Sequence, residues 1–299
     1  MMSSEAETEA DICCANCGAA EIDDVKLEEC GGCQSVKYCG DKCREGHREE
    51  HNEECKNRAK TLHDRKLFEQ RDETHLGECP LCFLPMPLHK RKSMYYSCCS
   101  EAICQGCIVA NYRSNGDQRC PFCREPRPDK GEFCKRLVKR VKANAPAALR
   151  HMAGTCYNEG DYEGAFEYFT KAAELGNADA HYRLGCMYGE GVGVENDEEK
   201  MCYHLEEAAM GGHPFARHAL ALYEEEEDND NIERAVKHYI IAAILGLDES
   251  MKALWKHYSL GNITKEELDA TLRAHQAAID EMKSEQRDAA EAFMRKYNI

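Results

Sequence analysis

The strongest periodic pattern of apolar and polar residues lies in the second half of the chain, from Asn144 onward. Alanine pairs recur at steps of 36 and 34 residues, as Ala172-Ala173, Ala208-Ala209 and Ala242-Ala243. A period of about 35 residues without strand-like alternation predicts stacked helix pairs, each too small to be stable alone. A glycine three residues after each pair predicts a left-handed end to the second helix of the repeat: Gly176, Gly212 and Gly246.

The segment before the repeats, residues 128–143, also has a helical pattern. Its apolar residues Phe133, Leu137 and Val141 recur at helical spacing, which predicts an amphipathic helix. The lysines and arginines between them suit either a nucleic-acid patch or a solvated face on a docking helix, and we favour the solvated face.

The first half of the chain is dominated by cysteine instead. Sixteen of the 20 cysteines precede Cys134. Most form C-x-x-C pairs, a spacing that directs two thiolates at one tetrahedral ion: Cys14/Cys17, Cys30/Cys33, Cys79/Cys82, Cys104/Cys107 and Cys120/Cys123. The pattern indicates that zinc, rather than a large apolar core, holds this half together.

A disulfide scaffold is the rival interpretation of these cysteines, and it needs an oxidising compartment. Residues 1–11 are acidic and polar, without the basic and apolar regions of a secretory signal. The chain also has no run of 18 apolar residues that would cross a membrane. We therefore expect an intracellular zinc protein, cytoplasmic or nuclear, with no membrane partner.

The first cysteine-rich segment has eight candidate ligands for two ions. They follow the order of three cysteine pairs and a closing His-x-x-x-Cys on a helix: Cys14, Cys17, Cys30, Cys33, Cys39, Cys43, His51 and Cys55. This order resembles the MYND finger family. The resemblance implies cross-bracing, with Cys14, Cys17, Cys39 and Cys43 on one zinc and Cys30, Cys33, His51 and Cys55 on the other.

Three further positions bear on this finger. Cys13 could replace Cys14 as a ligand, but the C-x-x-C spacing favours Cys14, and His47 is expected to be exposed. MYND fingers resemble one another in a Gln-x-x-x-Trp element that helps to form a groove for Pro-rich peptides. The corresponding positions here are Arg44 and Arg48.

The second segment is similar to an all-cysteine RING finger. The resemblance implies one zinc on Cys79, Cys82, Cys104 and Cys107, and another on Cys98, Cys99, Cys120 and Cys123. Adjacent Cys98 and Cys99 can reach one ion only with some backbone distortion. Glu101 or His89 as a substitute ligand is the alternative.

RING fingers that act as ubiquitin ligases have no covalent nucleophile. They hold a charged ubiquitin-conjugating enzyme in a reactive conformation, which is catalysis by positioning. The resemblance places Leu81 and Pro121 at conjugating-enzyme contacts and Arg124 at the cation that clamps ubiquitin. The alternative is that Leu81 and Pro121 pack the zinc knuckles while Arg124 is solvated.

The helix pairs resemble the Sel-like repeat family, which is related to tetratricopeptide repeats. The Ala-Ala-x-x-Gly tags, the Tyr-x-x-Gly tags and the loop Gly191-Val192-Gly193-Val194 carry the match. The resemblance implies a protein–protein adaptor. We therefore expect a RING-type ligase that recruits client proteins through its repeats, or else a non-catalytic scaffold. The net charge of −16 disfavours nucleic acid as a partner.

The predicted fold class is mainly α, with two small cross-braced zinc fingers that hold four ions, followed by an α-solenoid. Residues 263–299 begin with a capping-box signature at Thr264 and predict one or two helices that close the stack. The predicted segments are 13–55 (MYND-like finger), 56–78 (short helical linker), 79–127 (RING-like finger), 128–143 (amphipathic helix), 144–262 (Sel-like repeats) and 263–299 (closing helices).

Overall fold

The computed structural model describes residues 13–19, 26–71, 73–116, 119–227 and 231–297. The chain divides into two compact units, Met1–Glu69 and Gln70–Ile299. Each unit contains one of the two cysteine-rich segments, and the helical repeats belong to the second unit.

The first unit is a short hairpin followed by two helices. Strands β1 (Glu28–Glu29) and β2 (Lys37–Tyr38) pair antiparallel, and helices α1 (Asp41–Gly46) and α2 (Arg48–Leu67) follow. Among the described residues before Leu67, Tyr38 is the only non-cysteine apolar side chain that is buried. An element of this size cannot be stabilised by one aromatic ring, so another interaction must order it.

The second unit begins with a zinc-finger-sized module. Strands β3 (Ser93–Tyr96) and β4 (Glu101–Cys104) form an antiparallel hairpin, and helix α3 (Gln105–Asn115) follows directly. Met86, Tyr96 and Ile103 are buried here among cysteine side chains. This module therefore has a small apolar core besides its thiols.

The rest of the second unit is helical. Asp129 caps the amphipathic helix α4 by accepting from the Glu132 amide at 2.8 Å, and α4 packs against the first repeat helix. The bounds are α4 (Lys130–Lys142), α5 (Pro146–Glu159), α6 (Tyr162–Glu174), α7 (Ala178–Glu190), α8 (Glu198–Met210), α9 (Pro214–Glu227), α10 (Ile232–Ile244), α11 (Asp248–Ser259), α12 (Lys265–Glu281) and α13 (Glu285–Tyr297).

Helices α5 to α10 pack as the predicted pairs, α5 on α6, α7 on α8 and α9 on α10. All six alanines of the repeated pairs are buried, which lets the helices of a pair approach closely. At Gly185 in α7 an added Cβ would lie 2.9 Å from the Leu205 side chain of α8. The glycines at 176, 212 and 246 have φ of 78°, 81° and 89°, so their predicted left-handed caps are confirmed.

The two C-terminal helices have different roles. Thr264 forms the expected capping box with Glu267, and α12 packs against α10 and α11 at the end of the stack. The sequence pattern placed the last helix in the stack as well, but α13 packs against α3 of the zinc module instead. On α13, Ala290 is buried, and the ring of Phe293 packs beside the ring of Tyr112 on α3. The predicted fold class, mainly α with two zinc modules and a repeat solenoid, is confirmed.

Candidate metal centres

Four clusters of metal-ligating side chains occur in the described residues of the two cysteine-rich segments. Within each cluster all ligand atoms lie within 4.8 Å of one another. The clusters are Cys14/Cys17/Cys39/Cys43, Cys30/Cys33/His51/Cys55, Cys79/Cys82/Cys104/Cys107 and Cys98/Cys99/Cys120/Cys123. These are the same four sets that the two family resemblances imply. In each segment, the ligand pairs of one cluster alternate along the chain with those of the other.

The sulfur spacing fits tetrahedral zinc. A Zn–S bond of about 2.3 Å and a tetrahedral angle place neighbouring sulfurs about 3.8 Å apart, whereas a disulfide needs about 2.05 Å. Among the described residues, no cysteine forms a disulfide bond. The Sγ–Sγ distances are 3.6 Å for Cys17–Cys39 and Cys30–Cys55, 3.9 Å for Cys79–Cys107, and 3.8 Å for Cys82–Cys104 and Cys99–Cys120.

Four of the C-x-x-C pairs share one backbone turn. In each, the amide of the residue after the second cysteine donates to the carbonyl of the first cysteine at 2.9–3.0 Å, and that residue is left-handed. The turn-closing residues are Gly18, Gln34, Phe83 and Arg124. The fifth pair, Cys104 and Cys107, needs no such turn because it lies at the beginning of helix α3.

These turns also stabilise thiolates. Burial opposes ionisation of Cys14, but backbone N–H groups of Cys17 and Cys39 donate to its sulfur and lower its pKa to about 6. Burial likewise opposes ionisation of Cys79, and backbone N–H groups of Cys104 and Leu81 lower its pKa to about 7. One thiolate in each of these clusters is therefore prepared for a cation.

Other cluster sulfurs, such as those of Cys39 and Cys55, hold their protons more tightly than a free cysteine thiol. The Cys39 thiol donates to the sulfur of Cys43, which holds its pKa up at about 12. Burial, together with the hydrogen-bonded sulfur of Cys30, raises the pKa of Cys55 to about 11. A divalent ion at the centre of the cluster would displace these protons, so the donor sets fit four zinc ions.

The histidine ligand of the first finger is set by helix α2. His51 and Cys55 are one helical turn apart on α2, and His51 Nε2 lies 3.1 Å from the sulfur of Cys33. His47 is outside the cluster. It is half-buried rather than exposed as expected, because its Nδ1 pairs with the Tyr38 hydroxyl at 3.0 Å.

Adjacent Cys98 and Cys99 share one cluster because they lie at the tip of the β3–β4 hairpin. Their sulfurs are 4.0 Å apart, and the Ser100 backbone, with a φ of 64°, absorbs the expected distortion. The two alternative ligands have other roles. Glu101 begins strand β4, and His89 accepts a hydrogen bond from the Arg91 amide.

A fifth group, His75, Asp179 and His213, has ligand atoms equally close together but does not suit a metal. The two imidazole rings are stacked 4.0 Å apart at 23°, so their in-plane lone pairs cannot converge on one ion. Arg150 also holds Asp179 at 3.1 Å, where a cation would be repelled. Burial lowers the pKa of His75 to about 3, as expected for an uncharged interior imidazole.

The residues assigned to ligase contacts differ in exposure. Arg124 is exposed, and its guanidinium donates to the Asn111 side chain of α3 at 2.9 Å. Leu81 is half-buried against the module core, and Pro121 is buried. Pro121 therefore packs the knuckle and offers no surface to a partner.

Sequence reasoning missed Arg140 of helix α4. It was assigned to a solvated face, but its guanidinium donates to the carbonyl oxygens of Ser97 and Cys98, at 3.3 Å to Ser97. It thereby supports the hairpin tip that carries Cys98 and Cys99. Five basic residues lie at positions 135–142 of helix α4, and no local sequence pattern distinguishes the one whose side chain contacts the hairpin.

The first finger also has a cavity of about 460 Å³ beside its second zinc cluster. Arg44 and Arg48 line it at the positions where the MYND resemblance has Gln and Trp. Arg44 pairs with Glu28 at 3.0 Å and with Asp41 at 3.2 Å. The cavity wall is therefore charged where a Pro-rich peptide needs an aromatic and an amide.

Two known families match parts of this chain. The MYND finger model matches residues 14–55, and the Sel1 repeat model matches residues 146–177, 178–213 and 215–247. The chain thus carries a MYND zinc finger and three Sel1 repeats, an architecture of protein-interaction adaptors. In the described part of the chain, no helix combines the length and apolar character needed to cross a bilayer.

Two solved structures are similar to this chain. One is a Sel1 repeat protein from Oxalobacter formigenes, with a TM-score of 0.45 and 21% identity over 64% of this chain and 86% of that chain. The other is c5321, a protective antigen of uropathogenic Escherichia coli with an SLR fold. Its TM-score is 0.43, with 22% identity over 59% of this chain and 37% of that chain.

Proposed function

We propose that this adaptor is a RING-type ubiquitin ligase, whose second zinc module holds a charged conjugating enzyme while its repeats hold the client. The observation that carries the proposal is the presentation of Arg124. The left-handed turn that closes the last knuckle directs this side chain outward, and the contact with Asn111 holds it beside helix α3. A planar guanidinium in that position can donate two hydrogen bonds to a carbonyl or carboxylate of ubiquitin.

An apolar contact surface for the conjugating enzyme accompanies Arg124. Phe122 lies in the same knuckle and is 45% exposed, and Leu81 is half-buried in the first knuckle. Phe122 takes the contact that the resemblance gave to the buried Pro121. The module would activate a thioester by positioning alone, since it has no nucleophile to offer.

The module is joined to the repeats without a flexible segment on the side of α4. Arg140 connects α4 to the hairpin tip of the module, and α4 packs on α5. A client bound to the repeats would therefore stand at a constant distance from the conjugating enzyme. Such an arrangement raises the effective concentration of the client's lysines at the thioester.

Aromatic side chains on α11, the helix that follows the third Sel1 repeat, are the best candidates for client contacts. Trp255 and Tyr258 of α11 are 50% and 39% exposed, and their rings meet edge to face at 6.4 Å. Large aromatic residues of this kind supply most of the binding energy in protein interfaces. Replacing Trp255 by alanine should weaken client capture without changing zinc content.

A non-catalytic scaffold is the second candidate, and the burial of Pro121 favours it. Autoubiquitination of the zinc-loaded chain with a panel of conjugating enzymes separates the two. We expect activity with at least one enzyme and a loss of about tenfold or more in Arg124→Asn, which removes the cation but tolerates the left-handed backbone.

The matched control is Arg127→Asn, because Arg127 is another exposed arginine in the same segment. It should leave the activity unchanged. If no conjugating enzyme gives more product with the wild-type chain than with Arg124→Asn, the scaffold function replaces the ligase function.

A further inference from the structure

The C-terminal helix α13 lies against helix α3, the helix that begins with two zinc ligands. The ring of Phe293 on α13 lies 6.2 Å from the ring of Tyr112. The Arg113 guanidinium lies over the same Phe293 ring, 5.1 Å from its centroid. These contacts join residues that are about 180 positions apart in the sequence. They leave the side of α3 that bears Asn111 available for Arg124.

The two helices lie very close together at Gly106, between the ligands Cys104 and Cys107. An added Cβ on Gly106 would lie 2.8 Å from Cγ of Arg287 and 3.2 Å from its Cα. The second of these contacts is with backbone, which cannot rotate away. Any side chain at position 106 would therefore push α13 off the ligand-bearing turn.

From this point Arg287 reaches the first knuckle of the module. Its Nη1 donates to the carbonyl of Pro85 at 2.8 Å, and its Nη2 donates to the carbonyl of Leu84 at 3.3 Å. The same Nη2 lies 3.6 Å from the sulfur of Cys82. One guanidinium thus contacts a zinc-ligating sulfur and the backbone that positions it.

We propose that Arg287 is an outer-shell residue of the Cys79/Cys82/Cys104/Cys107 zinc site, and that α13 is an integral part of the module. A zinc ion with four thiolates carries two net negative charges, and a half-buried guanidinium donating to one sulfur offsets them. Outer-shell donors of this kind orient the ligands and slow their release of the metal. Zinc occupancy and α13 docking therefore stabilise each other.

The proposal goes beyond the adaptor and ligase functions and holds for either. It also has a counterpart in the second site of the module, where Arg140 donates to the carbonyls of Ser97 and Cys98. One arginine from before the repeats and one from after them thus support the two zinc sites. The repeats and the module would then form one cooperative structure.

Zinc transfer from the full-length chain to an excess of a chromogenic chelator tests the role of Arg287. In Arg287→Met one of the four zinc ions should leave about 10- to 100-fold faster than in the wild type, while the other three keep their rates. Arg287→Lys retains the charge but not the planar fork, so it should fall between the two. The matched control, Arg295→Met, removes an exposed arginine of the same helix that pairs with Glu291 one helical turn away, and it should change nothing.

A change at Gly106 tests the docking independently, through its sign. Replacing a helical glycine by alanine normally stabilises a protein, and Gly154→Ala in α5 should do so because nothing lies within 4 Å of the added Cβ. Gly106→Ala should instead lower the melting temperature and accelerate release of the same zinc ion as Arg287→Met. A melting temperature raised as in Gly154→Ala, or wild-type zinc release in Arg287→Met, would overturn the proposal.

Discussion

The two compact units of this protein contain similar zinc clusters but support them differently. Among the described residues of the first unit before Leu67, the only buried apolar side chain besides cysteine is Tyr38, and α2 is polar on nearly every face. In the second unit, Met86, Tyr96 and Ile103 pack around the clusters, and arginines from α4 and α13 hold the knuckles. The first unit depends on its metal, whereas the second has other interactions to rely on.

The magnitudes make this difference large. A structural zinc site contributes roughly 10–16 kcal/mol in small peptides, whereas a whole domain is typically stable by about 5–15 kcal/mol. The loss of zinc from the first unit therefore costs more stability than the burial of one tyrosine ring can supply. The helices of the second unit from α5 to α12 bury two apolar clusters, and no cysteine cluster of the zinc type occurs among their described residues.

Removal of zinc should give the largest effect. After treatment with a strong chelator, the first unit should unfold completely, while helices α5 to α10 retain their structure. Hydrogen exchange followed by mass spectrometry would show this as loss of amide protection in α1 and α2 beside unchanged protection in the repeats. Added zinc should restore it, and persisting protection of α1 and α2 in metal-free protein would contradict the comparison.

Substitution of single ligands should sharpen the comparison. Cys33→Ser removes a fully buried ligand from the first unit and should lose both of its ions, because the two sites brace each other. Cys79→Ser should lose one ion, because the hairpin and Arg140 continue to hold the other site. Zinc counts from native mass spectrometry distinguish these outcomes, with the exposed Cys134→Ser as a control that should keep four ions. Equal losses in the two ligand variants would show that the surroundings of the second module add nothing.

Acid should reveal two half-buried histidines of the second unit, His75, which stacks on His213 of the repeats, and His204, which belongs to the repeats. Burial lowers the pKa of His75 to about 3 and, with His181, that of His204 to about 4. Both histidines bind fewer protons in the folded than in the unfolded state. Their contribution to the free energy of unfolding is therefore complete above pH 6.5. It is lost as the pH falls below this value, at up to about 1.4 kcal/mol per pH unit for each histidine.

The stability of the repeats in urea between pH 7 and pH 4.5 measures this loss. His75→Phe should give a flatter dependence of stability on pH, because phenylalanine cannot bind a proton. The substitution retains the ring stack on His213 and removes a buried Nδ1 that has no partner among the described residues. The exposed His63→Gln should follow the wild-type profile. A His75→Phe profile as steep as that of the wild type would show that His75 does not titrate in this range.

The four clusters of candidate zinc ligands could be predicted from sequence because their signal is local. A C-x-x-C turn carries its ligands within four residues, and the glycine caps of the repeats follow from the helix ends that they terminate. Whether the adjacent Cys98 and Cys99 share one cluster stayed open in the sequence, and the structure brings them together through the left-handed turn at Ser100. For this reason the sequence predicts the four clusters and the mainly α fold.

The supporting contacts could not be predicted because they depend on tertiary packing. Arg140 has the same local pattern as its solvated neighbours on α4, and Arg287 lies about 200 residues from the knuckle that it contacts. The burial of Pro121 and the packing of α13 on α3 instead of on the helical stack likewise depend on elements far away in sequence. A periodic pattern indicates that a helix has an apolar face but does not identify the partner of that face.

The smallest effect should come from Arg44 of the first finger, which has a role different from that of Arg287. It bridges Glu28 and Asp41, but these carboxylates are 72% and 86% exposed, and the arginine itself is 43% exposed. Exposed ion pairs contribute about 0.2–1 kcal/mol and weaken in salt. Arg44→Met should therefore lower the melting temperature of the zinc-loaded first unit only slightly, less so at high salt, and should leave all four zinc ions in place. A loss of zinc as fast as in Arg287→Met would mean that the first finger, too, depends on an arginine outside its ligand shell, and the contrast between the two units would disappear.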